Sequence, residues 1–193
     1  MSISKIIYDG VRVKIEVDEA RGIITEILNN CGCELERAEL IADHLVDSNL
    51  CGVESHGAMR ILQYVDQFRS GYMKPEFGPF VSREDEISLS LMAGWAWHTR
   101  YGSAYKSAAK VALTKHICVT SIINVGHTGR HGSFADHYAE DGFLSILIGG
   151  GNREVWRQVA PYGGCEPKLP TNPYCIGFPG DERGPLVLDF ARQ

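Results

Sequence analysis

The apolar residues of this 193-residue chain change their period part-way along, and that change limits the folds open to it. Up to about residue 115 they recur mostly three and four apart, the stripe of an amphipathic helix. Ala20, Ile23, Ile24, Ile27 and Leu28 form the first stripe, with Asp18 as its expected N-cap and Gly32 as its stop. Ala38, Ile41, Ala42 and Leu45 form the second, over residues 35–50, with His44 beside them as a structural histidine. Ser55 is the expected N-cap of a third helix, whose stripe is Ala58, Ile61, Leu62, Val65 and Phe68 and whose end is Gly71. Residues 6–15 suit an edge strand or arm, and 72–81 a loop with Pro75, Gly78 and Pro79. Ile87, Leu89 and Leu91 alternate as in a half-buried strand, and helical spacing returns over 101–115.

After His116, short apolar runs punctuated by glycine take over. Residues 117–123 suit a buried strand, 133–141 a short helix and 143–148 the next strand. Strand, helix, strand predicts a βαβ unit and a parallel or mixed sheet. Further strands are expected over 174–178 and 185–190. The expectation is a mixed α/β protein, with a helical region over 1–115 and a mixed-sheet region over 116–193.

A net charge of −5 argues against a nucleic-acid or anionic-membrane surface, which would need a basic face. No apolar run reaches the roughly 18 residues of a membrane span. The first ten residues lack the apolar core and cleavage site of a signal peptide. None of the six cysteines forms a CxxC pair, so free thiols in a reducing compartment are expected.

Three stretches carry chemistry. In the first, CGVESHGAMR over 51–60, His56 is expected in the first helical turn, where unpaired N–H groups attract an anion. Arg60, four residues on, would share its face. An arginine can clamp a carboxylate at two points, and a histidine can exchange a proton near neutral pH. Together they suit a substrate with a carboxylate next to a carbonyl or hydroxyl. A capped helix with a surface histidine and a salt-bridged arginine is the competing reading.

The second stretch is NVGHTGRHG over 124–132, a loop between strand and helix where α/β sheets commonly bind ligands. It lacks the GxGxxG fingerprint. His127 and His131 are four apart, as in a helical metal site, but the glycines around them argue against regular helix. His98, His116 and His137 read as structural or surface residues. The third stretch offers Thr171 and Asn172 on a turn fixed by Pro173, and Asp189 inside the apolar run 186–190. A carboxylate buried there would need a partner.

In order, SHGAMR, NVGHTGRHG, VAPYGGCEPKLPTNP and LVLDFA resemble the malate/L-lactate dehydrogenase family, over about residues 18–191. That group includes ureidoglycolate and L-sulfolactate dehydrogenases and is distinct from the Rossmann-fold lactate and malate dehydrogenases. The resemblance implies a cytoplasmic homodimer. It also implies hydride transfer between NAD or NADP and a small 2-oxo or 2-hydroxy acid, on a mixed α/β fold that is not Rossmann. By position, His56 resembles the acid/base and Asp189 its charge partner. Arg60 and Thr171 resemble carboxylate contacts, with Ser55 near the reacting end. His127 matches a proton acceptor of the ureidoglycolate branch, which leaves two candidates for the acid/base. His127, Asn172, Asp189, Phe190 and Ala191 match cofactor-binding segments.

Family members continue for nearly as long again past this DFA segment, so the cofactor region over 116–193 is expected to be partial. Two alternatives accompany the oxidoreductase: an incomplete fragment or subunit that acts by association, and a metal-dependent hydrolase or lyase using His56, His127, His131 and Asp189. The 193-residue chain by itself is expected to bind nicotinamide cofactor weakly or not at all, so a titration with NAD(P)H should reveal no micromolar binding.

Overall fold

The computed structural model describes residues 13–74, 80–96, 99–151 and 158–191, with backbone alone for 94–96 and 99–101. The described residues pack as two compact units, 15–134 and a second formed by 135–191 with 13–14. The change of texture at residue 116 falls inside the first of these.

The first unit opens with α1 (Val17–Asn30) and α2 (Leu35–Leu50), and a short 3-10 helix (Glu54–His56) and α3 (Arg60–Arg69) follow. Asp18 lies in the first turn of α1 and Glu16 takes the cap position, two residues before the expected one. Carboxylates at that end favour the helix through its dipole. The helical stripes do what their spacing requires: Ile24 and Leu28 of α1 bury against Ala38, Ile41, Ala42, Leu45 and Val46 of α2. Tyr64 of α3 and Met73 complete this core. Fully buried side chains of this size stabilise a fold by roughly 1.5–3 kcal/mol each relative to exposure.

The third helix departs from the expectation. Ser55 caps nothing; it lies in the 3-10 turn, and the α-helix begins only at Arg60. Gly57 is the reason, because its extended backbone (φ −93°, ψ −155°) interrupts the helix between His56 and Arg60. Leu62, expected on the apolar stripe, is 73% exposed, while Tyr64 is fully buried.

A three-stranded sheet follows, ordered β1 (Phe80–Glu84), β2 (Ser88–Ala96), β3 (Val119–Val125). β1 runs antiparallel to β2 and β2 parallel to β3, with α4 (Thr99–Lys115) as the connection between the parallel pair. Leu89 and Leu91 of β2 and Ala104 of α4 form a second core, joined by Val111 and Ile122. The βαβ unit is therefore β2–α4–β3, not the later one expected from the sequence. β3 is not the buried strand expected either, since it stands at the sheet edge with Val119 and Ile123 more than half exposed.

The helix after β3 is α5 (His131–Glu140), and it leads to β4 (Ser145–Ile148) in a separate sheet. There β4, β5 (Tyr174–Asp181) and β6 (Gly184–Phe190) are all antiparallel. α5 lies close on one face: a Cβ on Gly177 would come within 2.9 Å of the Ala135 carbonyl. Ala135, Ala139 and Cys175 are buried. The register places Ile146, Ile176 and Leu188 side by side on the other face, with Ile148, Phe178, Leu186 and Phe190 beside them. Of these Ile148 is 76% and Leu186 69% exposed. The strand or arm expected over 6–15 lies mostly outside the described residues, and 13–16 form no strand. His98 also lies outside them.

Candidate active site

The first unit brings two histidine loops together. His56 sits in the 3-10 turn, where its Nδ1 is 3.0 Å from Ser55 Oγ. It is not in the first turn of an α-helix, so no row of helix N–H groups surrounds it. Arg60 opens α3 and folds back on the same turn: its Nε donates to the Ser55 carbonyl oxygen, and its Nη1 donates to Gln63 Oε1 at 2.7 Å. The arginine thereby ties the histidine turn to the helix. This replaces the shared helical face expected from the four-residue spacing.

His127 comes from the loop after β3, and its ring lies 5.3 Å from that of His56, centroid to centroid, at 34°. Its Nδ1 is 2.8 Å from Tyr64 Oη, and the Gly129 N–H donates to the same nitrogen at 3.3 Å. A backbone N–H can only donate, so Nδ1 is an acceptor and the ring proton resides on Nε2. Loss of solvent around the ring, with the positive field of Arg60 and the neighbouring His56, holds the His127 pKa well below the ordinary histidine value. His127 is therefore a neutral imidazole with an Nε2–H to donate.

Tyr64 escaped the sequence reasoning. Its only signal is its place four residues past Arg60, which sets it on the same side of α3. His131 starts α5 and is buried, with Nε2 3.1 Å from Thr128 Oγ1. Gly129, at φ +72°, breaks any helix between His127 and His131, so the two do not share a helical face. Among the described residues no cluster of three or more His, Cys, Asp or Glu side chains is placed to hold a metal ion.

Helix α2 lies beneath both loops. The Ala58 N–H donates to Asn49 Oδ1 at 2.7 Å, and the Arg130 N–H donates to His44 Nε2 at 3.0 Å. Arg130 also pairs through Nη2 with Asp47 Oδ2 at 2.7 Å. His44 stacks on Phe134, with ring centroids 5.2 Å apart. Burial, followed by the Arg130 charge, lowers the His44 pKa to about 4.

The second unit carries the remaining predicted residues. Asn172 adopts φ +45°, a left-handed conformation that asparagine tolerates better than most residues. The Gly149 N–H donates to the Pro173 carbonyl at 2.8 Å, and a Cβ on Gly150 would lie 3.9 Å from Asn172 Oδ1. The Thr171–Asn172–Pro173 turn thus stands at the end of β4. Asp189 pairs in register with Cys175, on the α5 side of the sheet, and its side chain is exposed. Phe190 packs edge-on against Tyr174 at 5.8 Å, and Ala191 follows it, exposed.

A family profile described as malate/L-lactate dehydrogenase matches residues 15–192. Hydroxycarboxylate dehydrogenase B of Escherichia coli K12 is 28% identical over 183 residues, covering 92% of this chain and 49% of the relative. The malate/(S)-sulfolactate dehydrogenase of Methanothermus fervidus is 34% identical over 171 residues, covering 87% of this chain and 49% of the relative. The structure of malate dehydrogenase from Pyrococcus horikoshii superposes with a TM-score of 0.85 at 31% identity, covering 93% of this chain and 50% of that one. The chain spans about half the length of the curated relatives it matches.

The His44 pKa makes a stability prediction. The unfolded chain takes up a proton on His44 near pH 6.5, whereas the folded chain resists until about pH 4. The unfolded state binds more protons between these values, so stability is full above pH 6.5 and is lost as pH falls towards 4. The integrated effect is about 3 kcal/mol. Urea unfolding of His44→Gln should lack this portion of the pH dependence, while the parent chain retains it.

Proposed function

Because the chain belongs to the malate/L-lactate dehydrogenase family, we propose that it serves an oxidoreductase that moves a hydride between NAD or NADP and a small 2-oxo or 2-hydroxy acid. The observation that carries this reading is the His56–His127 ring pair under the charge of Arg60. A 2-oxo acid needs a cation for its carboxylate and a proton for the carbonyl oxygen as carbon accepts hydride. Arg60 would hold the carboxylate. His56 would release a proton to the oxygen in reduction and recover it in oxidation.

Two histidines compete for the acid/base role, and their surroundings favour His56. His127 is held neutral, so it carries no spare proton at neutral pH. Its Nε2–H suits a hydrogen bond to the substrate oxygen, oriented by Tyr64. On the motif resemblance alone, Ser55 would neighbour the reacting end, Thr171 would add a carboxylate contact and Asp189 would serve as a charge partner.

The residues present fit a nicotinamide cofactor at one corner. The Pro173 ring covers Gly149, whose N–H is taken by the Pro173 carbonyl, so the exposed Asn172 side chain beside Gly150 is the polar group that a cofactor amide or hydroxyl would meet there. On the motif resemblance alone, Asn172, Asp189, Phe190 and Ala191 would hold the cofactor, which would supply or accept the hydride. A cytoplasmic homodimer is the setting that the family resemblance favours.

In an active form of the enzyme, His56→Ala should lower kcat for 2-oxo acid reduction on the order of 10²–10⁴-fold. Arg60→Leu should weaken carboxylate binding by roughly 1.5–3 kcal/mol, seen as a raised KM. Unchanged kinetics in both variants would refute these assignments.

The exposed apolar face around Ile146, Ile148, Leu186 and Leu188 favours a second reading, a subunit that acts by association. Contiguous apolar patches of this kind mark interaction surfaces. Sedimentation should then show self-association that Ile148→Lys with Leu186→Lys abolishes. A parent chain that stays monomeric up to about 100 μM, a tenth of the 1 mM end of the affinity scale, would contradict it.

A further inference from the structure

His56 and His127 belong to loops 71 residues apart in sequence, yet their rings meet at 5.3 Å. Both loops end on one helix. Asn49 Oδ1 takes the backbone N–H of Ala58, two residues after His56. His44 Nε2 takes the backbone N–H of Arg130, three residues after His127. Each acceptor occupies space that a glycine leaves open: a Cβ on Gly57 would lie 2.2 Å from Asn49 Oδ1, and one on Gly129 would lie 2.2 Å from His44 Nε2. Between the acceptors, Asp47 holds the Arg130 side chain. The helix is firm enough to act as a reference, since Ile41, Ala42, Leu45, Val46 and Ser48 are all buried.

We propose that His44 and Asn49 are positioning residues, each anchoring one histidine loop to α2 and together setting the distance between the two imidazoles. Neither touches the reacting atoms. Removing one acceptor frees one loop and leaves the other tied, because each loop has its own anchor. His44 suits the task in its neutral state, with the proton on Nδ1 and Nε2 open to accept. Its burial and the Arg130 charge maintain that state across the neutral range. The catalytic meaning of the distance rests on the roles proposed for His56 and His127, while the anchoring itself is measurable without turnover.

Amide hydrogen exchange on the 193-residue chain, followed by NMR, tests the idea. His44→Leu should speed exchange at Arg130 by about tenfold, the scale of one lost hydrogen bond, and leave Ala58 unchanged. Asn49→Leu should do the reverse. Each variant should abolish the proton–proton NOE between the His56 and His127 rings. His44→Gln and Asn49→Asp, which keep an acceptor of similar reach, should restore both protection and NOE. If a leucine variant fails to fold, His44→Asn, whose acceptor is too short to reach, replaces it in the comparison with His44→Gln. Equal acceleration of both amides, no acceleration, or a retained NOE would overturn the proposal. In an active form, the leucine variants should lower kcat with little change in KM, because Arg60 keeps its own contacts. Unchanged kcat in both leucine variants of an active form, with the exchange pattern intact, would sink the catalytic reading and leave the anchoring standing.

Discussion

The rest of the site depends on one constraint: a polar group on a buried helix must find a partner. α2 lies against α1 through Ala38, Ile41, Ala42 and Leu45, and its other side is not left apolar. It presents the buried His44, the half-buried Asp47 and the exposed Asn49, and leaving His44 unsatisfied would cost about 1–3 kcal/mol. The partners that satisfy them are backbone N–H groups and an arginine from two loops that could otherwise take many conformations. At His44, hydrogen-bond satisfaction in the core and order in the site are thus one requirement. The glycines at 57 and 129 follow from it, since any side chain there would displace the acceptor.

The same packing separates the chemistry of the two central histidines. Charging two imidazoles at this distance is unfavourable, and Arg60 adds a third positive charge to the neighbourhood. Loss of solvent around His127 adds to this, so its ring stays neutral. Tyr64 fixes its tautomer from the buried side of α3. Two groups whose environments push their proton affinities apart can divide the work of donating a hydrogen bond and carrying a proton.

Periodicity made the helices legible, because a stripe such as Ile24, Leu28 or Ile41, Leu45 is a local property that survives in the fold. It failed where a single backbone choice outweighed it. The spacing from Ser55 to Phe68 suits one helix, yet Gly57 departs into extended backbone and moves the helix start to Arg60. Strand pairing was not legible either. The apolar runs at 117–123 and 143–148 look like consecutive strands of one sheet, but β3 pairs with β2, reached through α4, and β4 pairs with β5. Pairing is decided by which faces find cover. Leu89 and Leu91 find α4, while Gly177 lets α5 approach the second sheet. His56, Arg60 and His127 stood out by residue type and spacing. Tyr64, His44 and Asn49 did not, because their roles exist only through contacts distant in sequence.

Arg60 links these levels, and its position predicts how a bound carboxylate would act on the pair. Its Nε and Nη1 are engaged by Ser55 and Gln63, which hold the guanidinium still beside His56. After the loss of solvent, its charge does most to lower the proton affinity of His127. A carboxylate seated on Arg60 would offset that charge and relax the depression. Solvent loss, the larger cause, would persist or deepen as substrate fills the site. His127 would therefore remain neutral in the complex. A substrate bound at Arg60 would then meet His127 as a neutral hydrogen-bond donor.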